Sequence, residues 1–535
     1  MKPFNPGRRF FMAGTAAVTG LLTLPGRGFA DSALFPVVET AQGRLRGAHA
    51  AGITSFKGIR YGAPTSGANR FMPAQPVEPW AGVKDALYFS HAAPQMPNGR
   101  AFAYGDLIVF DRHPSGLGED CLAINLWTPT LDANAKKPVI FVIHGGGYYG
   151  GSGNSFGMDG EEMARYSDSV VIAVNHRLGA FGFAHLAEFD DRFARSGAVG
   201  MMDIVSALAW VKENVAQFGG DPDRVLVYGQ SGGGAKTSTL LAMPGAEGLI
   251  HRAGVMSGSA LRSRTADDGT AAAERLLREL EIPTNELHRL QDLPFTRILE
   301  AQATLEAADR ALGEAPTSFA PVIDGEAIVR HPFDPDAPAI SHNVPMVIST
   351  ALDERTYRMP NFDLSDEGLM AYARRRAGDH AEDAVAMYRA EDPDASPHLI
   401  QARIDTDLSF RRSAFRQAEL KASAGGAPVW TYLWKWPSPA FGGRYGAVHG
   451  IDVGLSLHSV RGGLTGASAE SLMMADRIAS SWAAFAATGN PNNDEVPDWP
   501  EYTSPERATM IFDTEMSVEY DPRAEIREFW QSIES

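Results

Sequence analysis

Five residues, Gly229-Gln230-Ser231-Gly232-Gly233, follow directly on the β-rich run Arg224 to Tyr228. A serine at a tight strand-to-helix turn occupies strained backbone with crowded neighbours, so side chains at Gly229 or Gly233 would clash there. Such a turn needs a central strand before it and a packed helix behind it, and it limits the fold more than any other feature of the chain. By itself Gly-x-Ser-x-Gly is a weak signal among 54 glycines. Its strand context raises it, and so does a second cluster, His144-Gly145-Gly146-Gly147, after the apolar run Pro138 to Ile143. Glycines there let bare backbone NH groups converge where a tetrahedral intermediate carries its oxyanion. Gly146 and Gly147, with the NH of Gly232, would make a three-donor hole, each donor worth about 3 kcal/mol in the transition state.

The rest of the chain fits that turn. Apolar, β-rich runs at Leu122 to Trp127, Pro138 to Ile143, Val170 to Asn175, Arg224 to Tyr228, Pro345 to Ser349 and Val429 to Trp434 suit central strands covered on both faces. Amphipathic stretches lie between them: Val199 to Gln217, Ala271 to Leu280 and Ser471 to Ala487. Together they predict an α/β fold, a mostly parallel central sheet with helices on both faces. Segments Ser259 to Ala320 and Asn361 to Ala424 are largely helical and are expected to be insertions over the site. No linker, charge run or repeat divides the chain, so residues 31–535 are read as one domain despite a length that allows about three.

Other functions are disfavoured. Gly145-Gly146-Gly147-Tyr148-Tyr149-Gly150 satisfies G-x-G-x-x-G after a strand, but it runs on into Gly151-Ser152-Gly153-Asn154, a loop composition, where a dinucleotide site opens a helix at once. The stretch Gly232-Gly233-Gly234-Ala235-Lys236-Thr237 imitates a phosphate loop, yet Gln230 and Ala235 stand at its two required glycines. A net charge of -17 with scattered basic residues argues against nucleic acid. The 14 histidines show no metal-ligand spacing, so no metal is expected. The lone cysteine, Cys121, excludes an intramolecular disulfide and reads as an inert thiol at the start of a strand. At the N-terminus, Arg8-Arg9-Phe10-Phe11-Met12, an apolar stretch from Ala13 to Leu24 and Gly28-Phe29-Ala30 resemble a twin-arginine export signal. Residues 1–30 are therefore expected to be cleaved, leaving a periplasmic or secreted chain without a membrane anchor.

Further stretches carry a family resemblance. Phe218-Gly219-Gly220-Asp221-Pro222-Asp223-Arg224 leads into the nucleophile turn; Glu119-Asp120-Cys121-Leu122 precedes Asn125-Leu126-Trp127-Thr128-Pro129; Asn175-His176-Arg177-Leu178-Gly179 and Thr488-Gly489-Asn490-Pro491-Asn492 follow. This set resembles the type-B carboxylesterases, the cholinesterase-like α/β-hydrolases, over nearly all of residues 31–535. The resemblance implies an α/β-hydrolase fold, a carboxylic-ester hydrolase acting through an acyl-enzyme, a small-molecule ester as partner and no cofactor. It puts Ser231 in the nucleophile's place, His449 in the base's through Gly446-Ala447-Val448-His449-Gly450, and Glu354 in the acid's through Leu352-Asp353-Glu354-Arg355. An amide or thioester hydrolase of the same fold is an alternative. A non-catalytic binding relative is another, disfavoured because the triad and glycine hole are both complete. His458 has a poorer turn context and is read as structural.

The chain also departs from the family pattern. Gln230 stands where Glu is common, which removes a negative charge near the histidine, disfavours imidazolium and weakens any preference for cationic substrates. Arg355 replaces a usual glycine, and Asp452 stands where a buried glutamate is common. Ala93 replaces the cysteine that relatives pair with the one at Cys121, so the loop Met96 to Gly118 is an unstapled rim. The acyl and alcohol groups and the oligomeric state are not written in the sequence.

Overall fold

The computed structural model describes residues 34–96, 107 and 114–534, so the export-signal residues and most of the rim loop lie outside the described residues. Strands β1 (Val37–Thr40), β2 (Gly43–Arg46) and β5 (Val83–Asp85) form a small sheet. The other eleven make one large sheet: β3 (Ala48–Ala50), β4 (Ile53–Arg60), β6 (Ala123–Thr128), β7 (Lys137–Ile143), β8 (Val170–Val174), β9 (Gly220–Gln230), β10 (Arg252–Met256), β11 (Met346–Ala351), β12 (Val429–Trp434), β13 (Ala508–Phe512) and β14 (Ser517–Tyr520). Their spatial order is β14-β13-β12-β11-β10-β9-β7-β8-β6-β4-β3. From β13 to β8 every pairing is parallel, and the pairings beyond those two strands are antiparallel.

Side-chain alternation explains why the apolar runs become central strands. Val139, Phe141 and Ile143 of β7, with Val225 and Val227 of β9, face a core that includes Met201, Ile204, Leu208 and Val211 of the helix Val199–Asn214. Ile140, Val142, Leu226 and Tyr228 point the other way, onto Met474, Ile478 and Trp482 of the helix Ala469–Thr488. Both faces are covered, so both parities are apolar.

Helix ends follow their caps. Ser468 and Ser471 form a capping box before Ala469, and Gly489, at φ 83°, ends the helix at Thr488. The predicted helix Val199 to Gln217 stops at Asn214 and tightens into a 3-10 turn, Val215–Phe218, before Gly219 at φ 78°. Ala271 to Leu280 is longer than its periodicity shows, Ala266–Glu279, because Thr265 accepts from the Asp268 NH and starts the helix a turn earlier. Of the two helical insertions, the second comes to the site through Phe410, whose ring centroid lies 4.9 Å from that of His449. The first packs beside residues 179–197, where Gln302 accepts from the Ala180 NH.

Candidate active site

The chain leaves β9 at Gln230, turns at Ser231 and enters the helix Gly232–Leu240. Ser231 sits at φ 57°, ψ -122°, a conformation that costs a non-glycine residue about 1–3 kcal/mol and persists only when its surroundings hold it. Here the Ser231 NH donates to the Met256 carbonyl at 2.8 Å, tying the turn to the end of β10. Side chains at Gly229 and Gly233 would both run into the Ile143 carbonyl, which confirms the crowding expected of the motif.

The glycine cluster after β7 lies against this turn. A side chain on Gly232 would collide with the backbone of Gly147, so these two backbones meet bare, and Gly146 and Gly147 take φ of 91° and 61°. Among the described residues no acceptor takes the NH groups of Gly146, Gly147 or Gly232. The segment continues in turns, with the Gly150 NH donating to the Gly146 carbonyl at 3.0 Å, and no helix opens as a dinucleotide site requires.

Glu354 and His449 come from beyond β11 and β12 and meet in the interior. His449 Nδ1 lies 2.5 Å from Glu354 Oε2, and Glu354 Oε1 accepts the Ala351 NH at 2.8 Å. The carboxylate is fully buried and held at both oxygens. The other ring nitrogen, His449 Nε2, lies 3.1 Å from Gln230 Nε2, the residue before the serine. One aromatic ring stacks on the imidazole, Tyr357 at 4.9 Å and 17°, and a second, Phe410, tilts against it at 47°. Phe410 belongs to a π-helical turn, Asp407–Arg411, anchored where Arg411 donates to Thr350 Oγ1 at 3.2 Å and to the Ala351 carbonyl at 3.1 Å. Arg355 braces Phe410: its guanidinium lies 4.8 Å from the ring and its Nε donates to Ser409 Oγ at 3.2 Å.

The neighbouring carboxylate does a different job. Asp353 Oδ1 accepts from Arg403 Nε at 2.7 Å and Oδ2 from the Ala447 NH at 2.8 Å, so it fastens the strand end to the turn that carries His449. His458 is remote from this arrangement, stacked on Tyr166 at 4.0 Å with Nε2 2.8 Å from Asp476.

Two further titratable groups are buried nearby, one by Glu354 and one by His144. Asp452 accepts from the Tyr432 hydroxyl at 2.9 Å through one oxygen, while its other oxygen has no hydrogen-bond partner. Burial, and then the charge of Glu354, push its carboxyl up to about 7. Lys236 donates to the His144 carbonyl at 3.1 Å, and burial pushes its ammonium down to about 7. The ring of His176 stacks on that of His144 at 4.9 Å. Burial, with the charges of Lys236 and His144, holds His176 well below its ordinary range. Sequence reasoning used Lys236 only to reject a phosphate loop; the available signal was a lone charge in the small and apolar stretch Gly232 to Met243. Tyr357 and Phe410 had no signal at all, since only the fold brings them to His449. Cys121 is fully buried, and burial raises its thiol far above the usual range.

A strand-turn-helix serine at the carboxyl end of a mostly parallel sheet, with a buried His–Glu pair from later strand ends, defines an α/β-hydrolase. Residues 35–530 match the Carboxylesterase family, and the chain belongs to it. It is 32% identical over 501 residues to the para-nitrobenzyl esterase of Bacillus subtilis, covering 92% of this chain and 98% of that one. It is 33% identical over 492 residues to the phenmedipham hydrolase of Pseudarthrobacter oxydans, covering 89% and 94%. Among solved structures it is similar to a Clostridium hathewayi esterase described as able to hydrolyse aliphatic aromatic polyesters, with a TM-score of 0.80 at 32% identity over 93% of this chain and 98% of that one. A Geobacillus stearothermophilus carboxylesterase gives 0.78 at 33% identity over 92% and 100%. The chain is thus a carboxylic-ester hydrolase. No helix among the described residues is long and apolar enough to cross a membrane.

Proposed function

We propose that the protein hydrolyses small carboxylic esters through an acyl-enzyme on Ser231, with His449 as general base and then general acid, Glu354 as its orienting carboxylate, and the NH groups of Gly146, Gly147 and Gly232 as the oxyanion hole. The observation that carries this reading is the buried imidazole held at Nδ1 by Glu354 with Nε2 turned toward the residue before Ser231. In the first step Ser231 Oγ attacks the ester carbonyl and its proton passes to His449 Nε2. The carbonyl π pair moves to oxygen, where three backbone donors meet it. Glu354, accepting from Nδ1, fixes the tautomer and faces the imidazolium. Collapse breaks the bond to the alcohol, which leaves with the proton from Nε2, and water repeats the sequence to release the acid.

Residues 1–30 act, in this reading, as a twin-arginine signal that delivers residues 31–535, a single catalytic domain, to the periplasm or medium. Replacing Arg8 and Arg9 by lysine should hold the protein in the cytoplasm; unchanged recovery from the periplasmic fraction would reject the signal. For the chemistry, a fluorophosphonate should label Ser231 stoichiometrically, because an activated serine beside oxyanion donors captures tetrahedral phosphorus as it does a carbonyl. Intact-mass and peptide analysis reads the outcome, and labelling at another serine, or none on folded protein, overturns the assignment.

A further inference from the structure

The atom of His449 that must take the serine proton faces a second polar side chain. Gln230 Nε2 lies 3.1 Å from His449 Nε2, and the two residues are 8% and 5% exposed. Glu354 on Nδ1 sets the tautomer, with the proton on Nδ1 and the lone pair on Nε2. Against a lone pair an amide can present only its NH2 group. That nitrogen has a single in-plane lone pair, so the Gln230 amide and the Ser231 hydroxyl compete for it. Once the serine proton has moved, the Oγ–H bond is broken, Nε2–H is formed and Nε2 has become a donor. The same NH2 group then opposes a donor, and half a turn about the terminal torsion replaces it with Oε1, an acceptor.

Gly145 borders the amide. A Cβ added to Gly145 would lie 3.4 Å from Gln230 Oε1 and 3.1 Å from the Gln230 carbonyl, so the bare glycine leaves space on that side of the amide. An amide can serve both protonation states of the imidazole, a carboxylate only the charged one, and a thioether neither.

We infer that Gln230 is a positioning residue for proton transfer, holding the neutral His449 ring as a donor and the charged ring as an acceptor by turning its amide. The inference rests on the reading of His449 as the general base. The other groups in contact with the imidazole are Glu354, Tyr357 and Phe410, and the charged or titratable groups around those are Asp452 and Arg411, which feel the charge of Glu354, and Arg355, which lies against Phe410. All of them are retained in variants at position 230, so a change in pH dependence reports on that side chain.

The test is the pH profile of kcat and kcat/KM between pH 5 and 9 on an uncharged activated ester, for the wild type, Gln230→Glu and Gln230→Met, each checked for fold by near-UV circular dichroism. Gln230→Glu, nearly isosteric, should move the acid limb of kcat/KM about one unit to higher pH, because a carboxylate favours imidazolium. Gln230→Met should lower plateau kcat about tenfold with little change in KM, and shift the limb by less than half a unit, having lost the partner of both states. Superimposable profiles, or equal losses in both variants confined to KM, overturn the inference while leaving the triad standing. A Ser231→Ala variant that keeps wild-type turnover would instead overturn the triad, and this inference with it.

Discussion

The two flanks of Ser231 bury charge in opposite ways. On the His449 side the titratable neighbours are acids: Glu354 is spent on the imidazole, and Asp452 keeps one oxygen without a partner. On the His144 side they are bases, and among the described residues no carboxylate pairs with Lys236 or His176. Desolvation disfavours the charged form on both sides, so it drives the acid up and the base down until both titrate at about 7. For Asp452 and Lys236 the charge is therefore decided by burial and not by an ion pair.

Removing the paired acid should have the largest effect. Glu354→Gln is expected to lower kcat by about ten-thousandfold with the fold intact, since the tautomer and the imidazolium both lose their support. Its neighbour sharpens the contrast: Asp353→Asn should keep kcat within about tenfold of the wild type yet lower stability by about 2 kcal/mol, because buried Arg403 loses one of its two carboxylates and keeps only Asp392. Steady-state kinetics and urea melts of the two variants separate the roles. Crippled turnover in Asp353→Asn beside an active Glu354→Gln would exchange the assignments.

The unpaired groups predict opposite pH dependences. Asp452 has an ordinary value of 3.8 and a folded value near 7, so the unfolded chain releases this proton first and stability falls as pH rises from about 4 to 7, then levels. Asp452→Asn should gain on the wild type across that window, by on the order of 4 kcal/mol at its upper end. Lys236 has an ordinary value of 10.5 and a folded value near 7, so stability falls as pH drops from about 10.5 to 7 and then levels. The margin of Lys236→Met over the wild type should therefore grow in the other direction, by a similar amount. Thermal melts at a series of pH values test both, and slopes of the same sign would show that pairing, not burial, governs one flank. The smallest effect is expected at Cys121, where Cys121→Ser should leave kcat/KM within about twofold, since the thiol is neutral, buried and remote from the proton path.

How much of this could be read in the chain depends on how local each determinant is. The turn at Ser231, the glycine cluster and the six apolar runs are written in consecutive residues, and β12 falls exactly where its run does, at Val429–Trp434. Strand β10, Arg252–Met256, is not marked in the sequence, because it opens on an arginine and carries Ala253 and Gly254, residues of low strand propensity. Its fit is tertiary: a side chain on Gly254 would press on Trp482 and Tyr228. The roles of Asp353 and Glu354 were separable only by resemblance and turn geometry, since the two differ in which buried partner each meets. That partner lies 50 residues away for Asp353 and 95 for Glu354.

Those separations bear on how the protein comes into being. Gln230 meets a residue 219 positions away, and the glycine cluster, the serine turn, Glu354 and His449 hang on the ends of β7, β9, β11 and β12. Contacts that close such long loops form late, and a chain of this size passes through intermediates rich in secondary structure but short of native packing. Helicity can thus return during refolding long before the strand ends that carry Ser231, Glu354 and His449 come together. If Ser231 is the nucleophile proposed above, its fluorophosphonate labelling during refolding should appear only once the sheet has closed from β7 to β12, whose ends carry the site.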